Sequence, residues 1–200
     1  MKIEWFKEYS HCLDRDMEFK VYGHAGRPIL VFPAQNGRFF DFENFGMVNT
    51  VEHYINNGQI QLFCCDSIDP ESWSGEGLDN GYRTFMMEQW YYYIVNELVP
   101  RIFEINAQGN NGYNHDGIIT TGCSMGATHA VNFMFRRPDI FSGTIALSGY
   151  YDSDLFFGDY HDDILYRNSP IQYLQGMSYD HPYVEMYRHC QIVLCCGQGA

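Results

Sequence analysis

Basic residues are scarce in this chain. Twelve Lys and Arg face 25 Asp and Glu, a formal net charge of −13 at pH 7 over 200 residues. Such a surface repels phosphates and argues against nucleic acid or an anionic membrane as a partner. Long apolar runs are also missing. None approaches the roughly 20 residues that span a bilayer. Met1-Lys2-Ile3-Glu4-Trp5 leads into charged residues rather than the apolar core of a signal segment. Neither Cys-x-x-Cys nor His-Glu-x-x-His spacing occurs, and there is no phosphate loop or dinucleotide fingerprint. The reading therefore carries no metal and no cofactor. Seven cysteines are an odd number, and the adjacent pair Cys64 and Cys65, like Cys195 and Cys196, would point to opposite faces of a strand. Reduced thiols in a cytoplasm are the expectation.

Ring surface is plentiful: 16 Tyr, 15 Phe and 3 Trp bring aromatics to 17%, enough for a ring-rich core or cleft. With 46% hydrophobic and 18% charged residues, a globular domain spanning 1–200 is expected. Apolar runs at Met17–Tyr22, Pro28–Phe32, Ile60–Cys65, Gly117–Cys123, Thr144–Ser148 and Gln191–Cys196 read as strands. Phe42–Ile55, Tyr82–Asn106 and Ala127–Phe135 carry helical spacing. Pro100 is expected to kink or break the longest of these helices. Residues 151–189 are polar, aromatic and irregular, with short helical pieces near Asp162–Tyr166 and Pro170–Leu174, and form a candidate cap-like insertion. The alternation predicts an α/β fold: a mostly parallel central sheet with helices on both faces and an antiparallel edge from the early strands. Ligands of such sheets bind beyond the carboxyl ends of the strands.

At one such end stands Gly-Cys-Ser-Met-Gly, residues 122–126, between Ile118-Ile119-Thr120-Thr121 and a small-residue helix. Strand, sharp turn and helix are the sequence form of a nucleophile elbow with Ser124 at its apex. Glycines at 122 and 126 remove side chains that would clash beside the strained apex. The helix start behind Ser124 offers unpaired amides to a developing negative charge.

The elbow, the segment Pro28–Gly37 and the helix ending Glu97-Leu98-Val99-Pro100 together resemble the esterase branch of the α/β-hydrolases, which includes S-formylglutathione hydrolases, feruloyl esterases and mycolyltransferases. The resemblance runs over about residues 17–196 in order of elements. It implies an α/β-hydrolase fold and a serine esterase that acts on a small-molecule ester through an acyl-Ser124 intermediate. It also implies an oxyanion hole made by the amide of Met125 and an amide from the turn Pro33-Ala34-Gln35-Asn36-Gly37. By position that second amide is Gln35, with Asn36 the second choice. The branch's usual His-Gly or Asp-Gly is absent from this turn. Acyl transfer to another alcohol would use the same nucleophile.

In this fold the triad runs Ser, then acid, then His. The family places the acid after the strand matched by Gln191–Cys196, and the His after one strand more; here no His lies beyond position 189. The sequence is thus expected to be the N-terminal part of a longer hydrolase, without the last strand and helix. A non-catalytic binding or assembly module is the alternative, with an open sheet edge through which copies could pair as a homo-oligomer. Asp152 follows a strand at its carboxyl end and reads as an orienting acid or a turn residue. His161 and His181 are the available substitutes for a base or are ordinary loop residues. His129, five residues into the helix, reads as packing. Trp73 and Tyr151 are candidate pocket walls, Trp73 equally a ring packed on the long helix, and Asn36 lies beside them in the same expectation.

Overall fold

The computed structural model describes residues 1–113 and 115–198. Seven strands form one sheet: β1 (Ile3–Ser10), β2 (Arg15–Tyr22), β3 (Arg27–Phe32), β4 (Ile60–Cys65), β5 (Ile118–Cys123), β6 (Phe141–Leu147) and β7 (Gln191–Cys195). Their spatial order is β1-β2-β4-β3-β5-β6-β7. β1 and β2 pair antiparallel, as do β2 and β4, while β3, β4, β5, β6 and β7 run parallel. The expected antiparallel edge is therefore present. β1 itself has no counterpart in the sequence reading, because Glu4, Lys7 and Glu8 interrupt its apolar residues and leave no apolar run.

Alternation along the central strands divides the core. Leu30 and Phe32 face one side and Ile29 and Val31 the other. The first side is covered by a helical column: α4 (Asn80–Tyr92), a π turn (Tyr93–Leu98) and α5 (Val99–Gly109), joined by α6 (Met125–Arg136). Trp90, Ile94, Leu98 and Ile102 recur at four-residue spacing and pack onto Phe19, Leu30, Phe32 and Phe63. Pro100 does not end this column. It sits in the first turn of α5, where a missing N–H is tolerated, directly after the π turn. The second side carries three short helices, α1 (Asp41–Asn44), α2 (Met47–Thr50) and α3 (Glu52–Asn56), where a single helix is expected. Gly46, at φ 75°, breaks the chain direction between α1 and α2.

Between β6 and β7 run α7 (Asp154–Phe157), α8 (Asp163–Arg167), α9 (Pro170–Gln175) and α10 (Pro182–Arg188). Asp162 caps α8 through the Leu165 amide at 2.6 Å. It also accepts from Thr84 Oγ1 at 2.6 Å and the Tyr160 hydroxyl at 2.9 Å, which fastens this segment to α4. The apolar composition of β7 predicts burial, but every residue of the strand is exposed, including Ile192, Val193 and Leu194. It lies at the end of the sheet with β6 as its neighbour. Among the described residues no helix is long and apolar enough to cross a membrane.

Candidate active site

β5 delivers Ser124 to the carboxyl end of the sheet. Its backbone lies at φ 56°, ψ −122°, a strained combination for a residue with a side chain. Two neighbours hold it there. The Ser124 amide continues the ladder to Leu147 O at 2.9 Å, and its carbonyl accepts from Ala127 and Thr128 as the first turn of α6. The flanking glycines are obligatory by contact. A Cβ on Gly122 would lie 2.4 Å from the Gly126 carbonyl carbon, and one on Gly126 would lie 2.4 Å from Phe32 O. Ser124 is exposed, so its hydroxyl meets solvent at the tip of the turn. Among the described residues that hydroxyl has no hydrogen-bond partner.

Met125 opens α6, where an amide has no intrahelical acceptor. Its side chain is buried with Trp73, Met87, Phe157 and Leu165 under the elbow. The turn after β3 comes alongside, since Phe32 pairs in register with Gly122. Asn36 is left-handed at φ 56°, and Gly37 N closes the turn on Ala34 O at 2.9 Å. The Asn36 amide donates to Asp69 Oδ2 at 3.1 Å, which occupies the second-choice donor. Gln35 is exposed, and its side-chain amide donates to Ser74 Oγ at 2.9 Å.

The remaining candidates lie in varied settings. Trp73 is 3% exposed and meets Phe156 and Phe157 edge to face, so it packs as core against the long helix rather than as an open pocket wall. Tyr151 is half-buried against Ala127, Val131 and Ala146, and burial pushes its phenol up. Asp152 accepts from the Asp154 amide at 3.2 Å, a turn role at the start of α7. His181 Nδ1 accepts from the Tyr183 amide at 3.1 Å and caps α10. His161 is exposed. His115 lines a cavity of about 610 Å³ at the amino ends of β5 and β6, away from Ser124.

His129 is packed, as its helix position predicts, but with a partner the sequence did not disclose. Its Nε2 lies 3.4 Å from Asp69 Oδ1, and the two side chains are 3% and 2% exposed. Phe32, Trp73 and Trp90 surround the ring. Asp69 lies in a 3-10 turn, Asp69–Glu71, 60 residues before its partner.

A doubly covered, mainly parallel sheet with a strained serine between strand and helix defines an α/β-hydrolase. The sequence matches the family described as "Putative esterase" over residues 10–200, and the chain belongs to that family of esterases. Solved structures agree in fold. The S-formylglutathione hydrolase of Staphylococcus aureus superposes with TM-score 0.64 at 14% identity, covering 98% of this chain and 78% of that one. A ferulic acid esterase gives 0.67 at 14% identity, covering 98% and 90%. A fluorophosphonate-binding serine hydrolase of Staphylococcus aureus gives 0.58 at 13% identity, covering 98% and 79%. No curated protein sequence matches the chain closely enough to mark a relative.

Proposed function

We propose that this esterase is a serine carboxylester hydrolase in which Ser124 forms the acyl intermediate on a small-molecule ester. The observation that supports this most directly is the strained, exposed Ser124 at the head of α6, framed by two glycines that no other residue could replace without a clash. In this reading Ser124 Oγ attacks the ester carbonyl carbon while its proton passes to a base. The carbonyl oxygen becomes an oxyanion held by the Met125 and Gln35 amides. Collapse breaks the ester C–O bond, and the alcohol leaves with the proton returned by the base; water then attacks the acyl carbonyl, gives a proton to the same base, and the acid departs as Ser124 Oγ takes that proton back. Loss of one oxyanion donor removes about 3–4 kcal/mol of transition-state stabilisation. His129 faces Asp69 in the core and His181 caps α10, so neither is assigned as the base. The reading gives Asp152 no orienting role, because that carboxylate caps a turn.

A fluorophosphonate probe tests the reading. The expected result is a covalent adduct on Ser124 that is absent from Ser124→Ala. Folded wild-type protein that takes no label would overturn it.

A further inference from the structure

A buried carboxylate is a costly way to fill a core unless its hydrogen bonds are needed. Asp69 is such a carboxylate, and both of its oxygens are used. Oδ2 accepts the Asn36 amide at 3.1 Å; Oδ1 faces His129 Nε2 at 3.4 Å. Asn36 belongs to the turn after β3, and His129 to the helix that starts with Met125. One carboxylate therefore bridges the turn after β3, through its backbone, and α6, through the His129 ring.

We propose that Asp69 and His129 are positioning residues that fix the turn 34–37 relative to the start of α6, and so set the spacing of the two oxyanion donors. The proposal rests on the ester-hydrolase reading of Ser124. Three features support it. Asn36 holds a left-handed backbone at φ 56°, a conformation Asn tolerates, and in it the amide is directed to Asp69 Oδ2. With the Asn36 amide consumed by Asp69, the neighbouring Gln35 amide is the one left to face a substrate. The loop that carries Asp69 grips the same turn at two further points, Ser67 Oγ to Gly37 O at 3.1 Å and the Gln35 side chain to Ser74 Oγ at 2.9 Å. On the helix side the His129 ring has little freedom, since Trp90 packs at 4.8 Å between centroids and Phe32 and Trp73 at 6.0 Å each. A ring so enclosed transmits the position of α6 to Asp69 without swinging away.

The test is the kinetics of fluorophosphonate labelling, in which the phosphonyl oxygen occupies the place of the ester oxyanion. Wild-type labelling with none in Ser124→Ala establishes the underlying reading, and its absence overturns that reading alone. Given that labelling, Asp69→Ala is expected to lower the maximal labelling rate about 10- to 100-fold, as sub-ångström misplacement of a donor does. Probe affinity should stay within about threefold, because the ground-state complex makes little use of the hole. Asp69→Asn keeps an acceptor for the Asn36 amide and is expected to restore most of the rate. Asp69→Ala that remains folded and labels at the wild-type rate overturns the proposal. So does equal loss in Asp69→Asn and Asp69→Ala, which would tie the effect to charge rather than to the clamp. Should the alanine variant not fold, amide hydrogen exchange on the wild-type protein decides. Strong protection of Asn36 relative to Gln35 is expected, and equal exchange at the two positions overturns the clamp.

Discussion

Replacing Gly126 by alanine would add one methyl group where the helix behind the nucleophile touches the end of β3. The new Cβ would lie 2.4 Å from Phe32 O and 2.6 Å from Pro33 O, whereas real Cβ atoms essentially never come within 3.0 Å of such a neighbour. The carbonyl must retreat by more than half an ångström or α6 must lift. Neither is free to do so. β3 pairs in register with β4 on one side and β5 on the other, and α6 is buried from Met125 to Met134. Overpacking of this kind costs about 1–3 kcal/mol, here at the upper end because the obstacle is backbone. Alanine's helix preference returns at most about 1 kcal/mol. A net loss near 2 kcal/mol lowers the melting midpoint of a chain this size by about 4–8 °C. The same displacement moves the turn 34–37 away from Met125, so fluorophosphonate labelling should slow by about 10-fold or more. Differential scanning calorimetry and timed labelling check the two effects. A Gly126→Ala protein that melts with the wild type and labels at the same rate would refute the contact argument.

Three further outcomes are expected. Asp162→Ala removes the cap of α8 and the acceptor of buried Thr84, so the midpoint should fall by about 3–6 °C, from a capping loss of about 1–2 kcal/mol, and limited proteolysis should cut within 151–189; unchanged melting and an unchanged digest would refute it. The Arg15 guanidinium, bonded to Glu71 Oε2 at 2.9 Å, holds the Glu71 carboxyl below its usual range. This contribution is present above the ordinary carboxylate value near 4.3 and is lost as pH falls through the lower folded value. Glu71→Gln should therefore melt up to about 3 °C below wild type at pH 7, with the gap closing in strong acid; a gap that widens on acidification would contradict the assignment. Burial and the nearby Glu97 push the Cys12 thiol up to about 11. Iodoacetamide at pH 8 should alkylate exposed Cys123, Cys195 and Cys196 on the order of 100-fold faster than Cys12, as peptide mass spectrometry would read.

The parallel centre of the fold is legible in the sequence because strands covered on both faces are written as unbroken apolar runs. Ile60–Cys65 and Pro28–Phe32 coincide with β4 and β3 to within a residue for that reason. β1 escapes this reading, whereas β7 is read as a strand but not as an exposed one. β1 is largely exposed, and Glu4, Lys7 and Glu8 interrupt its apolar residues, so it shows no run. β7 does show one, yet among the described residues it pairs with β6 alone and is exposed, because composition reports what a strand can bury and not what lies beside it. The continuous column 80–109 shows a third limit. Proline at position 100 signals a break locally, while packing along Trp90, Ile94, Leu98 and Ile102 favours continuation, and the proline falls in the first turn of α5, directly after the π turn, where its missing N–H is tolerated.

The site divides along the same line. Ser124 is legible because an elbow needs glycines at fixed offsets, and fixed offsets survive in a linear string. The Asp69–His129 bridge is not, because its members lie 60 residues apart and neither sits in a motif. What the string does contain is a His on a helix face that also carries Ala130 and Phe133, which pack into the main core. A polar ring on such a face requires a hydrogen-bond partner, and that partner must come from the loop that crosses the carboxyl end of the sheet. In this chain that loop follows β4 and contains two buried aspartates, Asp66 and Asp69. Asp66 is engaged by Arg38, and Asp69 by the turn beside the nucleophile. The requirement to satisfy one buried imidazole thus leads from the helix behind Ser124, through Asp69, to the backbone that faces it.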